Sequence, residues 1–431
     1  MSPDPIDLPS VEPRPDLLTR LIGLRKHLSW KQAFTALQYP NYRLWFWGQI
    51  ISLFGTWMES TALGFLIFDL TRSPAYLGLV GFASGIPTWL FMLYAGVIAD
   101  RMARRTLLLI TQTVMMVLAF AVAALTFLHW IQPWHILVMA FLLGTANAFE
   151  APARQAFVLE MVSVEDMTNA IALNSAMFNT AMAVGPMAGG LIYAFFGPAW
   201  CFAVNGLSFI AVIVALRRMK LAPFVPKPHP ATALADLKEG LRFVAAHPLI
   251  RTIIGLIGVV SLFGISFVTL FPAWAVNVLH GDAKTNGFLQ SARGLGALVA
   301  ALLIASLGRF RFRGKLLTFG TLAFPVTAAL FALARWTPLS LLIIFGAGLS
   351  HILIFNLCNA LVQTHSPEAL RGRVMSVYTL VFFGLMPLGA LGIGLAAEHL
   401  GQPTAILTAA GVMLGAAAAL AVFMPHLRRQ P

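Results

Sequence analysis

Twelve apolar runs, each long enough to cross a lipid bilayer as a helix, constrain this sequence more than any other feature. A bilayer span needs about 20 mostly apolar residues, and 59% of the chain is hydrophobic while only 10% is charged. A soluble surface cannot be built from so few charges, which excludes a secreted enzyme, a disordered chain and a nucleic-acid binder. We therefore predict an all-α membrane protein with twelve transmembrane helices. The runs cover residues 43–69, 76–99, 106–129, 134–158, 170–196, 199–219, 251–279, 286–308, 316–335, 338–364, 374–399 and 402–425.

The 29 basic residues are distributed unevenly between the connections. In the twelve-helix topology, 25 of them fall on one side of the membrane, the side that also holds both termini. Only Arg72, Lys284 and Arg335 fall on the other side, and Arg293 lies inside the eighth run. Cytoplasmic loops are enriched in Lys and Arg, so both termini are predicted to be cytoplasmic. The net charge of +13 is then mainly an orientation signal rather than a site for an anionic partner.

A long basic connection divides the runs into six and six. Gly185 and Gly190 in the fifth run recur 204 residues later as Gly389 and Gly394, which indicates an internal repeat. Paired repeats place the substrate site at the midplane between the two halves. The predicted segments are a cytoplasmic tail (1–42), an N-terminal six-helix bundle (43–219), a cytoplasmic linker (220–250), a C-terminal six-helix bundle (251–425) and a second cytoplasmic tail (426–431).

The N-terminal tail shows no apolar stretch and cleavage site of the kind that a cleavable signal carries. Its first 16 residues are rich in Pro and acidic residues, a composition typical of disorder. Leu17, Leu21, Leu24 and Leu28 then recur at helical spacing. This pattern fits either a short helix lying on the inner leaflet or a solvated linker.

The connection after the second run carries the most specific motif. It resembles the loop between helices two and three of the major facilitator superfamily, with Ala103 in place of a glycine. The resemblance implies that superfamily's fold and transport by alternating access, with Asp100 latching one state against a helix N-terminus or a basic residue. Gly96 is expected to permit close helix approach. An ordinary positive-inside loop would explain the arginines but not the aspartate. The motif reads Gly96-Val-Ile-Ala-Asp100-Arg101-Met-Ala103-Arg104-Arg105.

The fifth run contains a second motif, Gly185-Pro186-x-x-Gly189-Gly190. It resembles the motif that marks proton-driven exporters of the superfamily, with Ala181 in place of its first glycine. Pro186 removes a backbone donor, and Gly185 and Gly189 form a face of small residues for tight helix packing. Glycine pairs also serve plain packing in membrane helices, so this motif favours export without establishing it.

Four further stretches resemble the drug:proton antiporter branch of the superfamily, in the group of the enterobactin exporter. The resemblance implies a proton-coupled exporter of small amphipathic molecules, either drugs or siderophore-like compounds. An uptake symporter and a lipid or lysolipid flippase use the same fold and remain alternatives. The stretches are Ser52-Leu-Phe-Gly55-Thr-Trp57-Met, Ala151-Pro152-Ala-Arg154-Gln-Ala-Phe-Val, Leu237-Lys-Glu239-Gly240-Leu-Arg242-Phe243 with His247-Pro248-Leu249, and Ser366-Pro-Glu-Ala-Leu-Arg371-Gly-Arg373.

Few ionisable residues lie inside the apolar runs, and each is a functional candidate because a charge at the bilayer centre is costly. Glu59 lies in the first run and Arg293 in the eighth, while Glu150 lies in the fourth with Asn147 and Arg154 on the same helical face. We hypothesise that Glu59 or Glu150 carries a proton inward, with Arg154 and Arg293 as further coupling candidates. The alternative is a static pair of Glu150 with Arg154 and a hydrogen-bonded Glu59.

The resemblance also implies that the first, fourth, seventh and tenth helices line a central cavity. Aromatic walls with a few polar points suit an amphipathic, planar or weakly cationic molecule. Aromatic side chains of membrane helices contact lipid or pack in the core more often than they contact a ligand, so that alternative applies to each of them. The cavity candidates are Asn147, Phe267, Phe271, Trp274, Asn277, His351, Phe355, Asn356, Asn359 and Gln363.

The sequence carries no motif of a metalloprotease, an α/β-hydrolase or an ATP-binding loop. The helices also lack the continuous polar lining that a channel would need. Cys201 and Cys358 both lie in apolar runs and are expected to be core residues. We expect no enzyme activity, cofactor, metal or nucleic-acid partner. The expected partners are a small-molecule substrate, a proton and membrane lipid, for a monomer in a bacterial cytoplasmic or inner membrane.

Overall fold

Regular structure in the described part of the chain is entirely helical. The computed structural model describes residues 34–221, 233–307 and 313–423. The expected leaflet helix at 17–28 and the arginines of the 308–312 connection lie outside these residues. A short 3₁₀ turn (Thr35–Gln38) precedes fourteen α-helices. The first six are α1 (Pro40–Thr71), α2 (Pro74–Arg101), α3 (Arg104–Phe127), α4 (Pro133–Leu159), α5 (Met167–Phe196) and α6 (Pro198–Arg218).

The second half of the chain begins with a short helix and then a broken one. The remaining helices are α7 (Ala233–Ala246), α8 (Pro248–Val259), α9 (Phe271–Asn277), α10 (Ala283–Leu307), α11 (Arg313–Leu333), α12 (Thr337–His365), α13 (Arg371–Leu400) and α14 (Gln402–Phe423). A π-helical turn (Val260–Gly264) and a 3₁₀ turn (Ile265–Leu270) join α8 to α9. Each predicted apolar run coincides with one helix or with the α8–α9 segment.

Proline and glycine define many of the helix ends. Proline occupies the first helical position of α1, α2, α4, α6 and α8, where its missing N–H costs no intrahelical bond. Gly197 ends α5 with φ +92° and Gly401 ends α13 with φ +79°. Positive φ is strained for other residues, so this pair, 204 positions apart, terminates corresponding helices in the same way.

Ten helical segments of the described residues are long and apolar enough to cross a membrane. The set counts α8–α9 as one segment and leaves out α2 and α5. It also leaves out α7, which is only 14 residues long. The chain is therefore a multi-pass helical membrane protein, as its sequence predicts.

Helix α7 lies within the segment that was expected to be a plain linker. Its backbone packs closely on α13, where a Cβ at Gly240 would stand 2.6 Å from the Arg373 carbonyl oxygen. Arg373 also binds Asp236 at 2.8 Å and Glu239 at 2.6 Å, and Val244 is buried in the adjoining core. The linker is thus docked on the transmembrane helices through a short amphipathic helix.

The hydrophobic core is divided along the chain. The largest cluster of buried side chains draws only on residues 244–413. Two other clusters belong to α1–α6 and their flanking turns, except for Ala273 of α9. Within the first half α1 packs on α5 and α6, and within the second half α12 packs on α10 and α11. Between the halves the main contacts join α5 to α10 and α2 to α13.

The two halves meet most closely at one end of the molecule, here named the closed end. It is the end where α2 and α10 begin and where α5 and α13 finish. A Cβ at Gly394 would stand 2.7 Å from the Gly78 Cα, and a Cβ at Gly190 would stand 3.1 Å from the Gly287 Cα. Glycine is required at such contacts because the helix backbones themselves touch.

A polar contact reinforces the closed end. Glu398 near the end of α13 accepts hydrogen bonds from the Ser73 hydroxyl at 2.7 Å and from the Ala75 amide at 3.1 Å. Both donors belong to the start of α2 and the turn before it. Toward the opposite end, here named the open end, polar side chains such as Asn147 and Gln363 are exposed.

Candidate functional site

A cavity of about 220 Å³ lies among the helices of the first half. It is bordered by α1, α3, α4, α5 and α6, and its wall combines aromatic surfaces with amides, hydroxyls and one acid–base pair. The lining residues are Gln49, Ser52, Leu53, Thr56, Trp57, Ser60, Gln112, Met115, Asn147, Glu150, Arg154, Phe178 and Phe209.

Glu150 is the acidic residue on this wall. Glu150 is 5% exposed, and its Oε1 accepts a hydrogen bond from the Gln112 Nε2 at 3.0 Å. Arg154 lies one turn further along α4, with its Nε 3.7 Å from the same oxygen. Ser52 on α1 donates to the Gln112 Oε1 at 3.5 Å. The carboxyl group is therefore connected through one amide to helices α3 and α1.

Asn147, Glu150 and Arg154 share the cavity wall, as their spacing predicts. Asn147 is exposed, and its amide donates to the Leu143 carbonyl at 3.1 Å. The Arg154 side chain remains 22% exposed, so solvent can reach the pair. The arrangement provides a carboxyl group that a proton could reach beside a fixed cation and next to space for a ligand.

Glu59 occupies a different environment, although it lies on the same helix as the cavity residue Thr56. It is buried against α6, where the Asn205 amide donates a hydrogen bond to its Oε2. The Ser208 hydroxyl donates in turn to the Asn205 Oδ1 at 3.0 Å. Gly55 makes room for this cluster, because a Cβ there would overlap both polar side chains. Glu59 therefore belongs to the α1–α6 interface and not to the cavity wall.

The glycines of the fifth-run motif lie between α1 and α10. A Cβ at Gly185 would stand 2.7 Å from the Trp57 Cβ, and one at Gly189 would stand 2.8 Å from the Met58 carbonyl oxygen, both on α1. Gly190 faces α10 at the closed end. The carbonyl oxygen of Pro186 also faces α10. The motif thus allows α5 to pack closely on both α1, which lines the cavity, and α10, which belongs to the second half of the chain.

The arginines of the loop motif bind within their own half. Arg104 forms an ion pair with Glu160 at the end of α4, and Arg105 donates to the Arg217 carbonyl at 2.8 Å at the end of α6. Arg101 is exposed at the end of α2. These contacts join the ends of α3, α4 and α6 at the open end of the molecule.

Two residues of this loop motif do not show the expected contacts. Among the described residues, no neighbour lies within 4 Å of the position that a Cβ of Gly96 would take. The expectation of close helix approach there is corrected, because Gly96 lies toward the open end of α2, away from the α2–α13 contact. The Asp100 side chain lies outside the described part of the structure, so its latch role stays a prediction.

The aromatic residues of the broken seventh run belong to the core rather than to a cavity. Phe267, Phe271 and Trp274 are at most 1% exposed. The Trp274 and Phe271 rings pack on Phe331 of α11, with ring centroids 4.6 Å and 5.6 Å from it. The expectation that they line the cavity is corrected. The π-helical and 3₁₀ turns before α9 change the helical period, so ordinary spacing assigns these side chains to the wrong face.

The remaining cavity candidates spread along α9 and α12. Asn277 is exposed at the closed end, whereas the α12 residues run toward the open end. Gln363 donates to the Asn359 Oδ1 at 2.6 Å. Phe355 is partly exposed and packs on Phe382, with centroids 4.6 Å apart. The predicted cavity residues of α12 with at least partial exposure are Phe355, Asn356, Asn359 and Gln363.

His351 and Arg293 lie in the interior of the second half. His351 is 6% exposed between the rings of Phe324 and Phe382, and its Nε2 has no hydrogen-bond partner among the described residues. Arg293 is partly exposed, yet its Nε atom is buried and has no hydrogen-bond partner among the residues that the structure describes. No acidic side chain that the structure describes forms an ion pair with it.

Metal chemistry has no support in the described residues, which contain no group of three or more His, Cys, Asp or Glu side chains able to hold an ion. Cys201 and Cys358 are buried free thiols, as expected.

Comparison with known proteins decides the family. The family model described as transmembrane secretion effector matches residues 31–430, nearly the whole chain. The chain belongs to this transporter family. Its resemblance to the major facilitator superfamily is confirmed, and the protein is a transporter rather than an enzyme. It is a multi-pass protein of a bacterial inner membrane.

Named relatives align over most of the chain. The multidrug efflux pump Tap of Mycolicibacterium fortuitum is 27% identical over 384 residues, covering 87% of this chain and 93% of that protein. The enterobactin exporter EntS of Shigella boydii is 28% identical over 362 residues, covering 81% and 84%. The crystal structure of the nucleoside transporter NupG matches with a TM-score of 0.68 at 18% identity over 90% of this chain and 99% of that one. That similarity supports the fold alone.

Several polar residues that the sequence reasoning did not select contribute to these sites. Gln112 and Asn205 are amides inside apolar runs, and such groups are costly in a membrane unless they find partners. That signal alone could have indicated them. Glu160 and Glu398 lie near helix ends, where acidic residues are common, so only the folded chain shows what they bind.

Proposed function

We propose that the protein is a proton-coupled exporter of small amphipathic molecules that works by alternating access. The observation that carries the proposal is Glu150, a largely buried acid on the wall of the cavity in the first half, 3.7 Å from Arg154. The efflux and siderophore-export activities named for the relatives and the fifth-run motif favour export.

The proposal includes a complete topology of twelve spans in two six-helix bundles, with both termini in the cytoplasm. Helices α2 and α5 are 28 and 30 residues long and would complete the set with the ten apolar segments. In this topology the closed end lies at the outer face of the membrane, which the distribution of basic residues supports. The described state would accordingly admit ligand from the cytoplasm.

The coupling step would operate through the charge of Glu150. When the carboxyl group binds a proton, it loses its charge attraction to the Arg154 guanidinium, and one of its oxygens becomes a hydrogen-bond donor. Removing an interaction in one state shifts the balance between two helix arrangements by the difference in binding free energy. A proton arriving from outside would thus favour one arrangement, and substrate entering from the cytoplasm would favour the other.

Glu59 is the second coupling candidate, and its surroundings differ from those of Glu150. Its carboxyl group is held in the α1–α6 interface by Asn205, away from the cavity wall. A proton bound there could not compete directly with a ligand in the cavity. We therefore assign the coupling role to Glu150 and a packing role to Glu59.

The test is proton-driven efflux in inverted vesicles from a transporter-deficient host, with a panel of dyes, antibiotics and siderophores. We expect transport by the wild-type protein to follow the pH gradient and Glu150→Gln to lose that dependence. Glu165→Gln, at an exposed loop acid, is the matched control. Unchanged transport in Glu150→Gln would contradict the assignment. Transport of labelled lipid instead of the panel compounds would favour a flippase. Movement of a panel compound in the direction opposite to export would favour an uptake transporter.

A further inference from the structure

A polar stripe runs along the interior face of α10. Asn286, Gln290 and Arg293 follow one another at spacings of four and three residues, which places them on one side of the helix. Phe288 and Leu295 are exposed on the lipid-facing side, and Arg293 lies about 140° around the helix from Phe288. Arg293 and Gln290, which are partly exposed, therefore lie on the side of α10 that faces away from Phe288.

The stripe carries polar groups that nothing in the described chain satisfies. Asn286 is 0% exposed, and neither its side-chain oxygen nor its nitrogen has a hydrogen-bond partner among the described residues. The Arg293 Nε is likewise buried and unpartnered there. Buried polar groups are normally hydrogen-bonded, and each exception calls for an explanation such as an absent ligand.

A second helix adds a donor at the same place. His351 lies on α12 one helical turn after Gly348, the residue that packs against the Arg293 backbone, and its Nε2 has no partner among the described residues. The two helices are in direct contact here, because a Cβ at Gly348 would overlap the Arg293 carbonyl. The side chains are thus held by a rigid backbone contact rather than by a mobile loop.

We propose that Arg293, with Asn286, Gln290 and His351, forms a subsite for a planar oxyanion, the carboxylate of the exported molecule. A guanidinium presents a planar fork of N–H donors that matches the two oxygens of a carboxylate. An unpaired interior cation is costly, and a substrate anion would offset that cost only while it is bound. This inference rests on the proposed export function and narrows its substrates to molecules that carry an acidic group.

The test uses purified protein in detergent and a pair of ligands that differ in charge alone. Benzoate carries a carboxylate, and benzamide is its neutral counterpart. We expect saturable binding of benzoate, followed by thermal stability and tryptophan fluorescence, and at least tenfold weaker binding of benzamide. Arg293→Gln should weaken benzoate binding at least tenfold, and Arg293→Lys should weaken it less, because it keeps the charge without the fork.

Arg335→Gln is the matched control, since Arg335 belongs to the same half but is exposed at the closed end. Its benzoate affinity should equal that of the wild type. Equal binding of benzoate and benzamide, or unchanged benzoate binding in both Arg293 variants, would overturn the proposal. Chloride that competes with benzoate at equal affinity would assign the subsite to an inorganic anion and overturn the carboxylate assignment.

The subsite and the export function fail in distinguishable ways. If Arg293→Gln loses benzoate binding and the wild type exports an acidic compound of the panel with the pH gradient, both proposals stand. If the wild type binds benzoate but drives no proton-dependent efflux of any compound in the panel, the export proposal fails alone. Circular dichroism of each variant shows whether a loss of binding reflects a loss of folding.

Discussion

The contact between α2 and α13 provides a sharp prediction, because two glycines two residues apart on α13 differ in their surroundings. A Cβ at Gly394 would stand 2.7 Å from the Gly78 Cα, whereas a Cβ at Gly392 would have no neighbour within 4 Å in the part of the chain that the structure describes. Ordinary carbon contacts are about 3.5–4.0 Å. Gly394→Ala therefore forces the two helices apart by about 1 Å, and Gly392→Ala does not.

Overpacking of this kind costs about 1–3 kcal/mol. The cost falls only on the state in which the closed end is closed, so the equilibrium between closed and open arrangements should shift about 5- to 150-fold toward opening. Both substitutions add the same methyl group to the same helix, so any general effect on helix stability appears in both variants.

The assay is the distance between spin labels on cysteines introduced at Leu128 and Leu333, which are exposed near the ends of α3 and α11 at the closed end. The two native cysteines are buried, so labelling is directed to the introduced sites. We expect Gly394→Ala to increase the long-distance population and Gly392→Ala to leave it unchanged. Identical distance distributions for the two variants would refute the reasoning.

Two further predictions concern polar contacts outside the cavity. Asn205→Leu removes the donor to the buried carboxyl group of Glu59, so the free energy of unfolding should fall by about 1–3 kcal/mol, measured by thermal denaturation in detergent. Arg373→Gln removes the ion pairs with Asp236 and Glu239 that hold α7 on α13. Partly exposed pairs contribute up to about 1 kcal/mol each, so tryptic cleavage within α7 should accelerate about fivefold.

Each of these variants has a matched control. Leu207→Ala changes an exposed side chain on the same helix as Asn205 and should leave stability almost unchanged. Arg371→Gln, two residues before Arg373, alters an arginine that binds only a carbonyl group in the described contacts and should not expose α7. Equal stability of the two α6 variants, or equal cleavage of the two arginine variants, would contradict the contacts on which the predictions rest.

The sequence predicts the helices well because membrane spans are constrained by length and hydrophobicity. The run predicted at 43–69 is the helix Pro40–Thr71, and the one at 374–399 is Arg371–Leu400. The linker helix α7 was missed, although Leu237, Leu241 and Val244 recur at helical spacing. The prolines just before α7 are typical of a connection, and for that reason the whole segment 220–250 was predicted to be a linker.

Side-chain directions were predictable only where the helix is regular. Asn147, Glu150 and Arg154 share a wall because α4 keeps its period through them. Trp274 turns into the core after a π-helical turn and a 3₁₀ turn, and Phe267 lies within that 3₁₀ turn. Composition does not encode that change of period. Partners distant in sequence, such as Asn205 for Glu59, depend on the packing of α6 on α1.

The most direct test of proton-coupled export is proton movement driven by substrate. Purified protein is reconstituted in liposomes that contain a pH-sensitive dye, and a transported compound is then added on one side without any imposed pH gradient. We predict that substrate movement drives protons in the opposite direction, and that Glu150→Gln abolishes this flux while substrate still binds. Substrate movement without proton flux in the wild type, or an unchanged flux in Glu150→Gln, would contradict the account.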